Sequence, residues 1–141
     1  PSSGGGRRRP QGSTNNPSWD LVQKLKRARD AKEVFGLLDE YDEHVNGFVA
    51  ASAMAKLRRF GKSREALRVF SRSKIRGVAL NVVAFNAAIS ACGRDWEKAL
   101  EFFDELRELR MEPNVITYSA LISTCGNGGQ WEKALELFDE F

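Results

Sequence analysis

Two stretches of this chain are nearly the same sequence. Val82–Glu105 and Val115–Glu140 align once two residues are skipped before the second tryptophan. The spacing from Phe85 to Tyr118 is 33 residues, and that from Trp96 to Trp131 is 35. The identical pairs include Val82 and Val115, Ala87 and Ala120, Ile89 and Ile122, Cys92 and Cys125, and Trp96–Glu101 with Trp131–Glu136. A period in this range is typical of helical-repeat arrays, in which each unit buries its apolar face only against its neighbours.

The rest of the chain divides into more diverged copies of the same unit. Apolar residues recur at helical spacing, as Ala50, Ala53, Met54 and Leu57 do. The fold class predicted from this pattern is all-α, an α-solenoid of stacked antiparallel helix pairs that form a right-handed superhelix. The predicted units are a disordered Arg/Gly/Ser tail at 1–17, a diverged helical hairpin at 18–46, a degenerate repeat at 47–81, a clear repeat at 82–114 and a truncated repeat at 115–141.

Capping and breaking residues predict where helices begin and end. Ser18 is a candidate N-cap for the first helix, and Asp95 is one for the helix that starts at Trp96. Gly93 is expected to end the preceding helix. The connection between the helices at 82–114 is predicted to be two residues shorter than that in the last unit.

The composition offers no catalytic, metal or membrane signal. The two cysteines occupy equivalent places in successive repeats without a nearby Cys or His, so we interpret them as packing residues. His44 lies alone in an acidic linker, and no Gly-rich phosphate loop or zinc spacing is present. No apolar run reaches the roughly 20 residues of a membrane helix. We therefore expect a non-enzymatic protein with no cofactor, no membrane contact and no small-molecule substrate.

Charge is distributed unevenly along the chain. Residues 18–81 carry 14 basic and 8 acidic side chains, whereas residues 82–141 carry 5 and 11. A polyanion is therefore expected to bind mainly at the N-terminal end of the array. The alternative is that these charges only solvate the outer helices.

The first helix of each clear repeat keeps a short polar stripe on an otherwise apolar surface. Asn86 and Ser90 lie four residues apart, and Ser119 and Ser123 repeat that placement. An amide carries both a donor and an acceptor, as reading a base edge requires. Small polar residues tolerated at a helix surface would give the same pattern, so the residues alone leave both interpretations open.

The repeat resembles the pentatricopeptide repeat. The resemblance rests on Val-Val-Ala-Phe-Asn-Ala-Ala-Ile-Ser-Ala-Cys from Val82, the Trp-Glu-Lys-Ala-Leu run and Met-Glu-Pro-Asn before Val115. It is specific over 82–141, fair over 47–81 and weak over 18–46. The tetratricopeptide repeat has a similar length, but its Trp-x-x-Leu-Gly-x-x-Tyr pattern is absent here.

The resemblance implies a groove for single-stranded RNA along the stacked first helices, with one base per repeat. The base is chosen by the residue after the Phe/Tyr together with the last residue of the repeat. The implied pairs are Asn86 with Asn114, Ala51 with Asn81, and Ser119 with a partner beyond Phe141.

The family also implies what each pair selects. The two asparagines at 86 and 114 would prefer pyrimidines, usually cytosine over uracil, and Ser119 would favour a purine. Ala51 has no polar side chain, so the second repeat departs from the family pattern and is not expected to read a base directly.

The same resemblance assigns the remaining contacts. Val83 and Ile116 match aliphatic residues that sandwich the base between neighbouring repeats, and Phe48 holds the corresponding place in the weaker repeat. Arg59 matches a basic position that approaches phosphate, whereas Arg94 and Asn127 are the nearest equivalents in the next two repeats.

The function implied is sequence-selective RNA binding in organellar RNA processing, in a mitochondrion or plastid. The Arg-rich, acid-free start of the chain is also similar to the end of a transit peptide. The alternative function is a helical-repeat scaffold that binds other proteins, which the acidic C-terminal half and Ala51 favour. Because the last helix would leave an apolar face uncapped, we expect a fragment of a longer array. A catalytic domain after Phe141 in the parent chain is left open.

Overall fold

The computed structural model describes residues 16–141. The predicted tail at 1–17 falls mainly outside these residues. The described part forms helices and no strand. A short 3₁₀ helix, Asp42–His44, follows the second α-helix. The α-helices are α1 (Pro17–Lys26), α2 (Ala31–Glu40), α3 (Gly47–Arg59), α4 (Ser63–Ile75), α5 (Val82–Ala91), α6 (Trp96–Glu108), α7 (Val115–Asn127) and α8 (Trp131–Glu140).

The helices form two layers of a solenoid. Helices α1, α3, α5 and α7 pack against one another in sequence and form the inner layer. Helices α2, α4, α6 and α8 form the outer layer, and each packs on inner-layer helices. Within residues 16–141, no outer-layer helix packs extensively on another outer-layer helix. The predicted all-α solenoid is confirmed.

The core runs between the layers without a break from repeat to repeat. The inner-layer helices are buried on most sides, and Ala53, Met54 and Leu57 of α3 are fully buried. Phe70 of α4 meets the Phe85 ring at 5.1 Å and the Phe102 ring at 5.0 Å, both in edge geometry. Because Phe85 and Phe102 belong to the next repeat, this aromatic cluster joins two repeats.

The helix ends follow local chemistry, with two departures from the sequence prediction. The Asp95 side chain accepts from Lys98 N–H at 3.2 Å, and Gly93 takes a positive φ of 66° after α5, both as predicted. The Ser18 prediction is wrong, because Asn16 caps α1 and Ser18 lies inside it. The side chain of Ser18 instead donates to the carbonyl of His44 at 2.7 Å.

The two extra residues of the last repeat lengthen a helix instead of a loop. Helix α7 has 13 residues and α5 has 10. The connection at 92–95 is therefore not shorter than that at 128–130, and that prediction is wrong. At Gly128 an added Cβ would lie 2.7 Å from the carbonyl oxygen of Arg94, so the end of α7 closely approaches the preceding repeat.

Ion pairs connect successive helices of the outer layer. Arg72 of α4 pairs with Asp39 of α2 at 2.6 Å, and Lys74 of α4 pairs with Glu105 of α6 at 2.7 Å. Arg76, just after α4, also pairs with Asp42. Part of the positive charge of the N-terminal half is therefore balanced between repeats on the outer layer.

The described helices are short. None of them is long and apolar enough to cross a bilayer. The thiol of Cys125 is buried and that of Cys92 is half-buried, and neither forms a disulfide. Burial raises the pKa of Cys92 to about 12, so this thiol stays protonated at neutral pH. The packing interpretation of the cysteines is confirmed.

Candidate functional site

Every inner-layer helix begins with an asparagine cap. The side-chain oxygens of Asn46, Asn81 and Asn114 accept the N–H of the third helical residue at 2.9, 2.9 and 3.0 Å. Asn16 caps α1 through the N–H of Ser18 at 3.0 Å. Sequence reasoning assigned Asn81 and Asn114 to base selection alone and missed this role. The detectable signal was an asparagine directly before each apolar helix.

The second residue of each of three inner-layer helices is an exposed apolar side chain. Phe48, Val83 and Ile116 are 49%, 58% and 62% exposed, although each lies in a helix whose apolar face is buried in the core. Each follows its asparagine cap by two residues, so the three hold the same helical position in successive repeats. Apolar side chains repeated at one exposed position suit contact with flat apolar partners. These are the predicted base-sandwiching residues.

The first predicted selection pair is in direct contact. The Asn86 amide nitrogen donates to Asn114 Oδ1 at 3.1 Å, across the boundary between α5 and α7. Asn86 is only 5% exposed. A buried amide of this kind is held in one orientation by its partners.

A third residue, Thr117 of α7, completes this network and was not predicted. Its hydroxyl lies 2.6 Å from Asn86 Oδ1 and 3.0 Å from Asn114 Oδ1, and it accepts the Asn114 backbone N–H at 3.0 Å. Thr117 is fully buried. The cap of α7 and the inward amide of α5 are thus one hydrogen-bonded unit, which we call the Asn86–Asn114–Thr117 network.

The other predicted selection residues are not joined in this way. Ala51 is 3% exposed and apolar, so its repeat-end partner Asn81 acts as a helix cap without a polar neighbour at that position. Ser119 is exposed and lines a shallow groove between α5 and α7 with Ile116 and Ser123. The second repeat therefore lacks the polar pair that the third repeat has.

Basic side chains lie at the C-terminal end of α3. Arg59 lines a groove between α1 and α3 with Lys26 and Lys56, whereas Arg58 lines the groove of Ser119. Neither arginine forms an ion pair within residues 16–141, in contrast to Arg72 of the outer layer. The sequence predicts a phosphate contact at Arg59 and does not single out Arg58. A count of charges does not show which basic side chains line a groove.

Comparison with known families matches the chain to one repeat type. The model of the pentatricopeptide repeat domain matches residues 53–95 and 68–128, and that of the single repeat matches residues 116–141. Together these matches span 53–141, which is more than half of the chain.

Individual relatives and a solved structure carry the same type of repeat. Pentatricopeptide repeat-containing protein 10 of Zea mays, named as chloroplastic, is 28% identical over 116 residues, covering 77% of this chain and 15% of that protein. A protein of Arabidopsis thaliana, named as putative and mitochondrial, is 33% identical over 94 residues, covering 65% and 14%. The crystal structure of pentatricopeptide repeat protein PPR10 with an 18-nt psaJ RNA element superposes with a TM-score of 0.74 at 23% identity, covering 92% of this chain and 20% of that one. The chain thus spans less than a sixth of the length of these two relatives.

Proposed function

Because this chain belongs to the pentatricopeptide repeat family, we propose that its inner layer binds single-stranded RNA and selects among the bases. The observation that carries the proposal is the Asn86–Asn114–Thr117 network, which joins the two inner-layer helices that carry the exposed apolar residues Val83 and Ile116. Polar groups that choose a base and apolar groups that hold it are the two components that such binding needs. The structural similarity to PPR10, which was solved in complex with an RNA element, also supports RNA binding by this chain.

In this proposal the exposed apolar residues hold the bases. Val83 and Ile116 flank one base from successive repeats, and Phe48 supplies the equivalent surface one repeat earlier. Their contacts tolerate every base, because each base has an apolar face. They supply affinity without sequence preference.

Selection falls to the polar positions. Asn86 with Asn114 selects a pyrimidine, and Ser119 favours a purine. Asn81 contributes little choice of its own, because Ala51 offers no hydrogen bond beside it. Arg59 contacts phosphate, and the position of Arg58 supports a second phosphate contact nearer to Ser119.

The biological setting follows from the relatives as a proposal. Since two of them are named chloroplastic and mitochondrial, we place the function in organellar RNA processing. Among the described residues, no three or more His, Cys, Asp or Glu side chains are grouped so that they could hold a metal ion. The activity proposed here is RNA binding.

Protein binding is the second candidate function. The acidic outer helix α8 exposes Trp131, Leu135 and Phe138, which repeat along one helical face. Together with Ala51, this surface favours a scaffold that contacts another protein. Under this alternative, the inner-layer amides would have no influence on nucleic-acid binding.

Replacing Asn86 by alanine tests which function is correct. Affinities of the 141-residue chain for oligocytidine and oligoadenosine of equal length are compared by fluorescence anisotropy. We expect the wild-type preference for cytidine to fall by about three- to tenfold in Asn86→Ala, the contribution of about one hydrogen bond.

Asn46→Ala is the matched control. It removes the same side chain from an inner-layer cap, so it lowers helix stability by about 1 kcal/mol without changing the ratio of affinities. An unchanged ratio in folded Asn86→Ala contradicts the proposal and favours the scaffold.

A further inference from the structure

We propose that Thr117 is a positioning residue for base selection: its hydroxyl fixes the orientation of the Asn86 amide, and thereby favours cytosine over uracil. This inference rests on the proposed function and adds a residue outside the pair that the sequence indicated. It starts from the 2.6 Å contact between Thr117 Oγ1 and Asn86 Oδ1.

The hydrogen-bond directions follow from the available protons. A threonine hydroxyl has one proton, and its shorter contact is to Asn86 Oδ1. The oxygen of Asn114 is then left to accept the Thr117 backbone N–H at 3.0 Å and the Asn86 amide at 3.1 Å. This arrangement satisfies the other hydrogen bonds of the network and leaves only the 3.0 Å approach of Thr117 Oγ1 to Asn114 Oδ1 without a proton.

This arrangement decides which group of Asn86 remains for a ligand. The Asn86 oxygen accepts the Thr117 proton and stays turned toward that buried residue, although it keeps a second lone pair. One amide proton is donated to Asn114, so the second amide proton is the donor left without a partner in the network. Cytosine presents an acceptor at N3, whereas uracil presents a donor there. A fixed donor therefore discriminates between two bases of nearly equal shape.

Removing the hydroxyl is expected to weaken the preference for cytosine. In Thr117→Val the Asn86 oxygen becomes a buried acceptor without its donor, which is costly. The amide is then no longer held in one orientation, so its free proton is not fixed for the N3 acceptor of cytosine, and the discrimination against uracil weakens. Selectivity changes even though neither Asn86 nor Asn114 has been replaced.

The test compares oligocytidine and oligouridine of equal length at neutral pH, by fluorescence anisotropy with the full chain. We expect the cytidine-to-uridine affinity ratio of wild type to fall about three- to tenfold in Thr117→Val, as for loss of one hydrogen bond. Thr117→Ser keeps the hydroxyl and is expected to keep the ratio.

Thr124→Val is the matched control on the same helix. Thr124 is also buried, but its hydroxyl donates to the Ala120 carbonyl at 2.8 Å and does not contact the network. The Thr124→Val variant should be less stable than wild type and should keep the cytidine-to-uridine affinity ratio. Circular dichroism melts of all variants confirm folding, and Thr117→Ser remains informative if Thr117→Val does not fold.

The outcomes are distinct. A ratio retained in folded Thr117→Val, or lost in folded Thr117→Ser, overturns the role of Thr117 and leaves RNA binding intact. Wild type that binds neither strand, or binds both equally, overturns the proposed function and this inference with it.

Discussion

Replacing Val83 and Ile116 together by serine is expected to lower the affinity for single-stranded RNA by about thirtyfold. In the proposed groove each side chain would cover one face of a base, and we assign each aliphatic contact about 1 kcal/mol, the low end of the range for bases stacked on aromatic side chains. The loss should be similar for every base, since these contacts carry affinity without choice. Anisotropy with oligocytidine and oligoadenosine measures both.

Because Val83 and Ile116 are exposed, replacing them should affect RNA binding with little effect on folding stability. Both residues are more than half exposed, so the free energy of unfolding should change by less than about 0.5 kcal/mol. Ile75→Ser is the control, because Ile75 is an aliphatic residue of the outer-layer helix α4 that is 85% exposed. If Ile75→Ser weakened RNA binding as much as the double variant, the inner layer would not be the binding surface.

The second large effect is on stability. Phe70→Ala is expected to lower the free energy of unfolding by about 3–5 kcal/mol, because Phe70 is 1% exposed and its removal leaves a cavity. The effect also reaches the next repeat, since Phe70 contacts both Phe85 and Phe102. Urea denaturation followed by circular dichroism gives the value.

Phe138→Ala is the matched substitution on the surface. Phe138 is 62% exposed, so the same change there should cost less than about 0.5 kcal/mol. Comparable losses at the two positions would mean that the interface between the second and third repeats is not a principal source of stability.

The sequence was sufficient to predict the solenoid, because its period is a property of the chain alone. A repeated helical face must be buried against the next copy, so the repeat length and apolar spacing predicted stacked helix pairs. The Gly93 break and the Asp95 cap also follow from local backbone chemistry. These features need no knowledge of distant contacts.

The site was only partly predictable, because it forms between helices. The hydrogen bond between Asn86 and Asn114 joins the two residues that the resemblance pairs, while their role in base selection stays a prediction. The third residue of the network, Thr117, is visible only once α5 and α7 are packed together. The same is true of Arg58, whose groove is formed by later helices. The spacing of residues along one helix does not show which residues of a neighbouring helix they contact.

Two local predictions were wrong for a related reason. Ser18 was taken as a cap because serine is a good one, but Asn16 lies where the chain enters the helix and Pro17 suits the first helical position. The extra residues of the last repeat were expected in a turn, yet α7 continues through them to Asn127. Tertiary packing decides where a helix ends when the local signals permit several positions.

The most direct test of the central claim is the binding of the wild-type chain to single-stranded RNA and to its duplex, by fluorescence anisotropy over a series of salt concentrations. An acidic polypeptide serves as competitor. The account predicts preference for the single strand that persists as salt increases, because apolar contacts to unpaired bases are not screened. Equal binding to single strand, duplex and acidic polypeptide, lost together as salt increases, would contradict it.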